Sequence, residues 1–242
     1  MHCDVMIIGG TGIGDRLPAL GLQAVHVPTQ FGLLRGYAGK IGRANLFCVQ
    51  RHSAGHKTPP HLINYRAIAD GARRLGVRAC FATAAVGCLR PEWQPGTLVA
   101  CKDFIDHTDR QVTMYDQQVR HIDFSTPMSA RSHILAVAHG QGINVIDDGV
   151  YMGLDGPRYE TPSEVLLVAK LGGDVVGMTA STEAEVMVEA GIPYACLAIV
   201  TNLAAGIADH VLDHSEVVDV MKTRGDDVLR LLTAAADHVV DA

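Results

Sequence analysis

The chain lacks any excess of positive charge. Its 242 residues carry 20 lysines and arginines against 26 aspartates and glutamates, a net charge of −6, and the isoelectric point lies near 6.0. The basic residues are scattered, so no broad positive field exists to attract a phosphate backbone, and no nucleic-acid partner is expected. Long apolar runs are missing too. No stretch reaches 18 uninterrupted apolar residues, and residues 1–8 do not join a charged region to a long apolar one. Neither a membrane span nor an export signal is expected, and the protein is read as cytoplasmic. The six cysteines, Cys3, Cys48, Cys80, Cys88, Cys101 and Cys196, show no CxxC spacing and mostly sit inside apolar runs. They read as reduced, structural thiols, with none in a nucleophile motif. The patterns GxGxxG, GxxxxGK(S/T) and HExxH are absent, which argues against a nicotinamide-dependent dehydrogenase, a nucleoside-triphosphate enzyme and a helix-borne zinc site. No repeat, low-complexity stretch or linker interrupts the chain, and residues 1–242 are read as a single domain.

Apolar residues are plentiful, 48% of the total against 19% charged, enough for one large core. Short apolar runs at 5–8, 44–49, 79–82, 174–177 and 194–200 read as buried strands. Helical spacing marks 62–75, 127–139, 162–171, 182–190 and 215–239. Gly76, Gly172 and Gly191 stand where a left-handed residue closes a helix. The alternation implies an α/β fold with a largely parallel sheet covered on both faces. In such sheets ligands bind at the carboxyl ends of the strands, so the residues after each run carry most weight. They are Gly9-Gly10-Thr11-Gly12, Ala84-Ala85-Val86-Gly87, Met178-Thr179 and Thr201-Asn202.

Gly9-Gly10-Thr11-Gly12 lets backbone N–H groups approach an anion while Thr11 adds a hydroxyl; a plain tight turn is the competing reading. Arg51-His52 closes an apolar run with a forked guanidinium suited to phosphate and an imidazole donor of tunable charge. His56 and His61 follow, so a metal site is the rival. Pro59-Pro60, however, keeps His52, His56 and His61 off one helical face, and no metal is expected. Asn202 offers a donor and an acceptor to one edge of a heterocycle, with Glu160 in Gly156-Pro157-Arg158-Tyr159-Glu160 as the natural second contact. Taken singly, an Asn bound to backbone and a Glu opening the next helix are the commoner outcomes.

Taken in order, these segments resemble the purine nucleoside phosphorylase and methylthioadenosine phosphorylase family of trimeric enzymes. The match runs through residues 7–12, Arg51-His52, 60–65, 96–108, Gly156-Pro157-Arg158, Gly177-Met178-Thr179, Glu183 and Thr201-Asn202, nearly the whole chain. The resemblance implies a single-domain nucleoside-phosphorylase fold, α/β with a mixed twisted sheet flanked by helices. It implies that Thr11, Arg51, His52, Ala85 and Thr179 hold inorganic phosphate as co-substrate, that Tyr159 stacks on base or sugar, that Met178 packs under the ribose, and that no cofactor is needed. His121, in His121-Ile122-Asp123-Phe124, resembles the histidine that a neighbouring subunit of a homotrimer lends to the 5′ end of the nucleoside. His214 lies near the place of a histidine that meets a 5′-hydroxyl, although the loop before it differs in length. Family members usually carry a polar side chain at the position of Ala84, so one phosphate contact is missing or replaced.

Two branches of the family differ in the base pocket. The methylthioadenosine branch has Asp at the position of Asn202, a second Asp at that of Ala204 and a small residue at that of Glu160. This chain resembles the 6-oxopurine branch, which includes methylthioinosine phosphorylases, at all three. A 6-oxopurine presents a carbonyl and an N1–H, so Glu160 can accept from N1–H while Asn202 serves N7 and O6. Adenine N1 would instead face the carboxylate lone pairs. The resemblance thus implies phosphorolysis of 5′-methylthioinosine, inosine or guanosine, with Asn202, Glu160 and His52 carrying the chemistry. A 5′-methylthioadenosine phosphorylase is the alternative, and a purine-binding sensor without turnover is a further one.

Overall fold

The computed structural model describes residues 1–207 and 214–242, with the side chains of His214 and Ser215 outside the description. In chain order its elements are β1 (Val5–Gly9), β2 (Gln23–Thr29), β3 (Gly32–Ile41), β4 (Ala44–Gln50), α1 (Tyr65–Leu75), β5 (Ala79–Cys88), β6 (Leu98–Ala100), β7 (Asp103–Asp106), α2 (Arg131–Ala138), β8 (Val145–Ile146), β9 (Val150–Gly153), α3 (Pro162–Lys170), β10 (Val175–Gly177), α4 (Ala180–Glu189), β11 (Tyr194–Leu203) and α5 (His214–Asp241). The apolar runs become the central strands because helices cover both of their faces. On one side α1 and α4 contribute Ile68, Ala72, Ala184 and Met187. On the other, α2 and α5 contribute Ile134, Val228, Leu231 and Ala235.

Among the described residues eleven strands join one sheet, in the order β2-β3-β4-β1-β5-β10-β9-β7, with β11 branching from β5 towards β6 and β8. The largely parallel sheet expected from strand–helix alternation is corrected to a mixed one, as the family resemblance implies. β1, β4, β5 and β11 form parallel neighbours, while β3 pairs antiparallel with both β2 and β4, β10 with β5, and β6 with β11. β5 and β11 run several residues further than their apolar runs. Ala84-Ala85-Val86-Gly87 lies inside β5, and Thr201-Asn202 inside β11. Pairing between these two strands along their whole length holds the small residues extended. α1 starts at Tyr65, three residues later than its spacing implies, where the Asn64 side chain caps it by accepting from Ala67 N–H. Similarly, α2 starts at Arg131, after the segment 127–130.

The partner exchange along β5 creates the site. One edge of β5 pairs with β1 through Ala82 and then with β10 from Gly87. Because β1 runs parallel to β5 and β10 antiparallel, the two meet end to end, and the edge at residues 83–86 lies open between them. The carboxyl ends of β1 and β10 thus point into one gap, the geometry of a switch point in an α/β sheet. A bulge in β11 between Val200 and Asn202 faces the same region and re-aims the side chains around it.

Candidate active site

A cavity of about 570 Å³ occupies this gap, the volume of a small-molecule site. Of the expected phosphate residues, Thr11, Arg51, His52, Ala85 and Thr179 all line it; so do Tyr159, Glu160, Met178 and Asn202 from the expected nucleoside set. His121 is exposed within the chain, while the side chain of His214 lies outside the described residues.

The glycine loop is both a tight turn and a wall of the cavity. Gly14 N–H and Ile13 N–H donate to the Gly10 carbonyl, and Gly10 N–H donates to Thr83 Oγ1 at 3.0 Å. A Cβ at Gly10 would lie 2.6 Å from both Arg51 Nη1 and the Thr83 carbonyl, so only glycine lets the loop pack on the guanidinium. Gly12, at φ +74°, takes the left-handed conformation that carries the chain past Thr11.

Arg51 is buried, its side chain 1% exposed and that of Glu183 0%. Its Nε and Nη2 donate to the two Glu183 oxygens at 2.8 Å each, and Nη1 donates to the Thr83 carbonyl at 2.7 Å. Tyr194 adds a hydroxyl donor to the same carboxylate at 2.8 Å. Burial opposes the guanidinium charge, but the field and hydrogen bonds of Glu183 outweigh it and raise the pKa. Three of the five guanidinium donors are thereby used, leaving two for a ligand.

His52 differs from its expected role. Its Nδ1 lies 2.8 Å from the Thr58 carbonyl, which can only accept, so the proton sits on Nδ1 and Nε2 presents a lone pair. Burial first, and then the neighbouring Arg51 charge, push its pKa down to about 4. The ring is therefore a neutral acceptor at neutral pH rather than a donor of tunable charge. His56 packs on it with ring centroids 4.3 Å apart and also lines the cavity.

Thr179 is the N-cap residue of α4, yet its side chain makes no capping bond. The backbone N–H groups of Thr179 and Ala180 both donate to the buried Tyr151 hydroxyl, at 3.2 Å each. Tyr151 thus satisfies the first two amides of the helix start, whereas a side-chain cap would accept from the amide of Ser181 or Thr182; the Thr179 side chain lines the cavity instead. Sequence reasoning had no signal for Tyr151, which lies in a different strand.

Where the base is expected, Thr201 Oγ1 donates to Asn202 Oδ1 at 2.9 Å, and Asn202 Nδ2 donates to the Leu203 carbonyl at 3.0 Å. These contacts fix the amide, leaving the second Nδ2 hydrogen as a donor. Glu160 lines the same cavity, and burial pushes its carboxyl above the usual range, against a backbone hydrogen bond that lowers it. Met178 packs against Gly156, where a Cβ would come within 2.2 Å of its sulfur. Tyr159, 43% exposed, stands at the mouth.

Comparison with known proteins gives a consistent picture. The sequence matches the family described as "Phosphorylase superfamily" over residues 4–237. It is 38% identical to the 6-oxopurine nucleoside phosphorylase of Pyrococcus furiosus, with 96% of this chain and 91% of that one covered. Identity to a probable S-methyl-5′-thioinosine phosphorylase of Methanopyrus kandleri is 37%, with 98% and 93% covered. Among solved structures, a Schistosoma mansoni methylthioadenosine phosphorylase in complex with adenine superposes with a TM-score of 0.92 at 27% identity, covering 99% of this chain and 92% of that one.

Proposed function

The chain belongs to the phosphorylase superfamily, and we propose from that premise that it is a pentosyltransferase cleaving 6-oxopurine nucleosides with inorganic phosphate. The substrate is 5′-methylthioinosine, inosine or guanosine; the products are the free purine and the ribose or methylthioribose 1-phosphate. The observation that carries this reading is the joint presence of Asn202 and Glu160 in one cavity with the Thr11, Arg51, His52 and Thr179 cradle. The relatives at 37% and 38% identity, named for 6-oxopurine substrates, support it.

Phosphate sits below the ribose. The two remaining Arg51 donors, the Thr11 and Thr179 hydroxyls and the loop backbone serve its oxygens, and the His52 Nε2 lone pair accepts the P–OH of HPO₄²⁻. Because Glu183 balances Arg51 and His52 is neutral, the anion is held by hydrogen bonds, the amino end of α4 and the charge of Lys57, which also lines the cavity. A phosphate oxygen attacks C1′ while the C1′–N9 bond lengthens through an oxocarbenium-like transition state, and the bonding pair leaves with the base. Negative charge on the departing purine is stabilised by the Asn202 donor at N7, and Glu160 accepts from N1–H. The proton brought in by HPO₄²⁻, which the sugar 1-phosphate dianion does not keep, completes the purine. Neither a covalent enzyme intermediate nor a cofactor takes part.

In this reading a homotrimer lends His121 of each copy to its neighbour's 5′ end. Mixing inactive His121→Ala and Asn202→Ala proteins under exchange would restore part of the activity if the site is shared. The main test is phosphate-dependent release of hypoxanthine from 5′-methylthioinosine and inosine beside release of adenine from the matching adenosines. Faster adenine release would replace this reading by that of a methylthioadenosine phosphorylase, and purine binding without phosphate consumption by that of a sensor.

A further inference from the structure

Arg110 stands outside the cavity wall, yet it touches three of the segments that build it. Its side chain is 10% exposed. Nε donates to Asp155 Oδ1 at 3.1 Å, Nη1 to the Tyr65 hydroxyl at 2.9 Å and the Pro60 carbonyl at 3.5 Å, and Nη2 to the carbonyls of Leu154 at 3.0 Å and Met178 at 2.7 Å. A guanidinium has five N–H donors in a fixed plane, and here there are five acceptors. Tyr65 extends the reach, because its hydroxyl donates to the Pro60 carbonyl at 2.9 Å.

The three carbonyls belong to different parts of the site. Pro60 ends the loop from His52 to Pro60 that flanks the phosphate cradle, Leu154 opens the segment leading to Tyr159 and Glu160, and Met178 precedes Thr179 at the end of β10. Leu154 and Met178 lie just beyond β9 and β10, which the sheet ladder and the Leu154 N–H bond to the Gly177 carbonyl already hold side by side; Pro60 opens a separate short turn at 60–62, and Arg110 ties that turn to the strand ends. We infer that Arg110 is a positioning residue that sets the spacing between phosphate, ribose and base subsites by clamping these three segments.

The inference rests on the phosphorolysis reading for its kinetic consequence, but the clamp can also be observed without turnover. Arg110→Ala should lower kcat/KM for inosine on the order of a hundredfold, the effect of misplacing bound reactants by about 1 Å. Millimolar guanidinium should restore activity saturably by refilling the vacated plane, while Arg110→Lys, with three donors for five acceptors, should recover only part. Backbone amide exchange should rise together in 57–62, 154–160 and 177–179 of Arg110→Ala and fall again with guanidinium. Activity within threefold of the parent protein, or a loss that guanidinium does not reverse, would overturn the inference. Should Arg110→Ala fail to fold, Tyr65→Phe decides. Removing the Tyr65 acceptor and its relay to Pro60 while leaving the Asp155, Leu154 and Met178 contacts, it should raise the phosphate KM several-fold at an unchanged nucleoside KM; both constants unchanged, or both raised alike, would contradict the clamp. A parent protein that releases no hypoxanthine would sink the phosphorolysis reading alone, because the exchange pattern reports on the clamp independently.

Discussion

Arg51 and Glu183 form a bidentate ion pair, two contacts of 2.8 Å, with neither side chain more than 1% exposed. Removing one partner strands the other charge in the interior, so Glu183→Gln should destabilise the protein by about 3 kcal/mol. The double replacement Arg51→Met/Glu183→Leu should recover much of that loss while abolishing phosphate-dependent activity. Urea unfolding of Glu183→Gln, Arg51→Met, Glu183→Leu and the double variant checks this, and strictly additive losses would show that the two charges do not compensate each other.

The His52 imidazole should remain neutral across the working pH range. With a folded pKa of about 4 against about 6.5 unfolded, the native state binds fewer protons. The resulting stability is full above about pH 6.5 and declines as pH falls towards 4. An NMR titration should find no His52 transition between pH 5.5 and 8, whereas a midpoint near 6.5 would put a cation in the cradle.

Tyr151→Phe should raise the phosphate KM without touching the ligand directly. Loss of the hydroxyl leaves Thr179 N–H and Ala180 N–H without their acceptor, at a stability loss of about 1–3 kcal/mol. The start of α4 then shifts to find another acceptor and carries the Thr179 side chain away from the phosphate position proposed for it. A variant with reduced Tm and an unchanged phosphate KM would refute the second half of that argument.

Ala84 lines the cavity on the open stretch of β5, and its neighbour Thr83 uses its hydroxyl oxygen to hold Gly10. Ala84→Thr should therefore add a phosphate contact and lower the phosphate KM roughly fivefold, equivalent to about 1 kcal/mol. Steady-state kinetics at varied phosphate measures the effect; a raised KM would mean that the added methyl crowds the cradle.

The parts of this site legible in the sequence are those whose chemistry is local. Thr11, Arg51 and Asn202 follow or end apolar runs and carry groups suited to their ligands, and their order along the chain bears the family resemblance. The supporting residues were not legible. Tyr151 and Arg110 act through contacts 28 and 68 positions away in the chain, and neither local spacing nor side-chain type announces such a role. For His52 the sequence suggests a donor of tunable charge, whereas the structure sets its Nδ1 on the Thr58 carbonyl, in a turn no periodicity marks. Strands β2 and β3 carry a different pattern: β2 lies at the sheet edge with β3 beside it, and their exposed positions dilute the continuous apolar signal that marks β1 and β11.

Burial that raises the Glu160 pKa makes base selection depend on pH. In the function proposed above the carboxylate accepts from the N1–H of a 6-oxopurine, and its protonated form would donate to adenine N1. The preference for inosine over adenosine should therefore shrink as pH falls through the Glu160 transition. A preference that grows in acid would assign the discrimination to another group.

The most direct measurement is the ratio of kcat/KM for inosine to that for adenosine, at neutral pH, in the parent protein and in Asn202→Asp. The parent ratio should favour inosine, and the variant should lose on the order of a hundredfold on inosine while gaining on adenosine, so that the ratio collapses. An unchanged ratio would mean that Asn202 does not read the base.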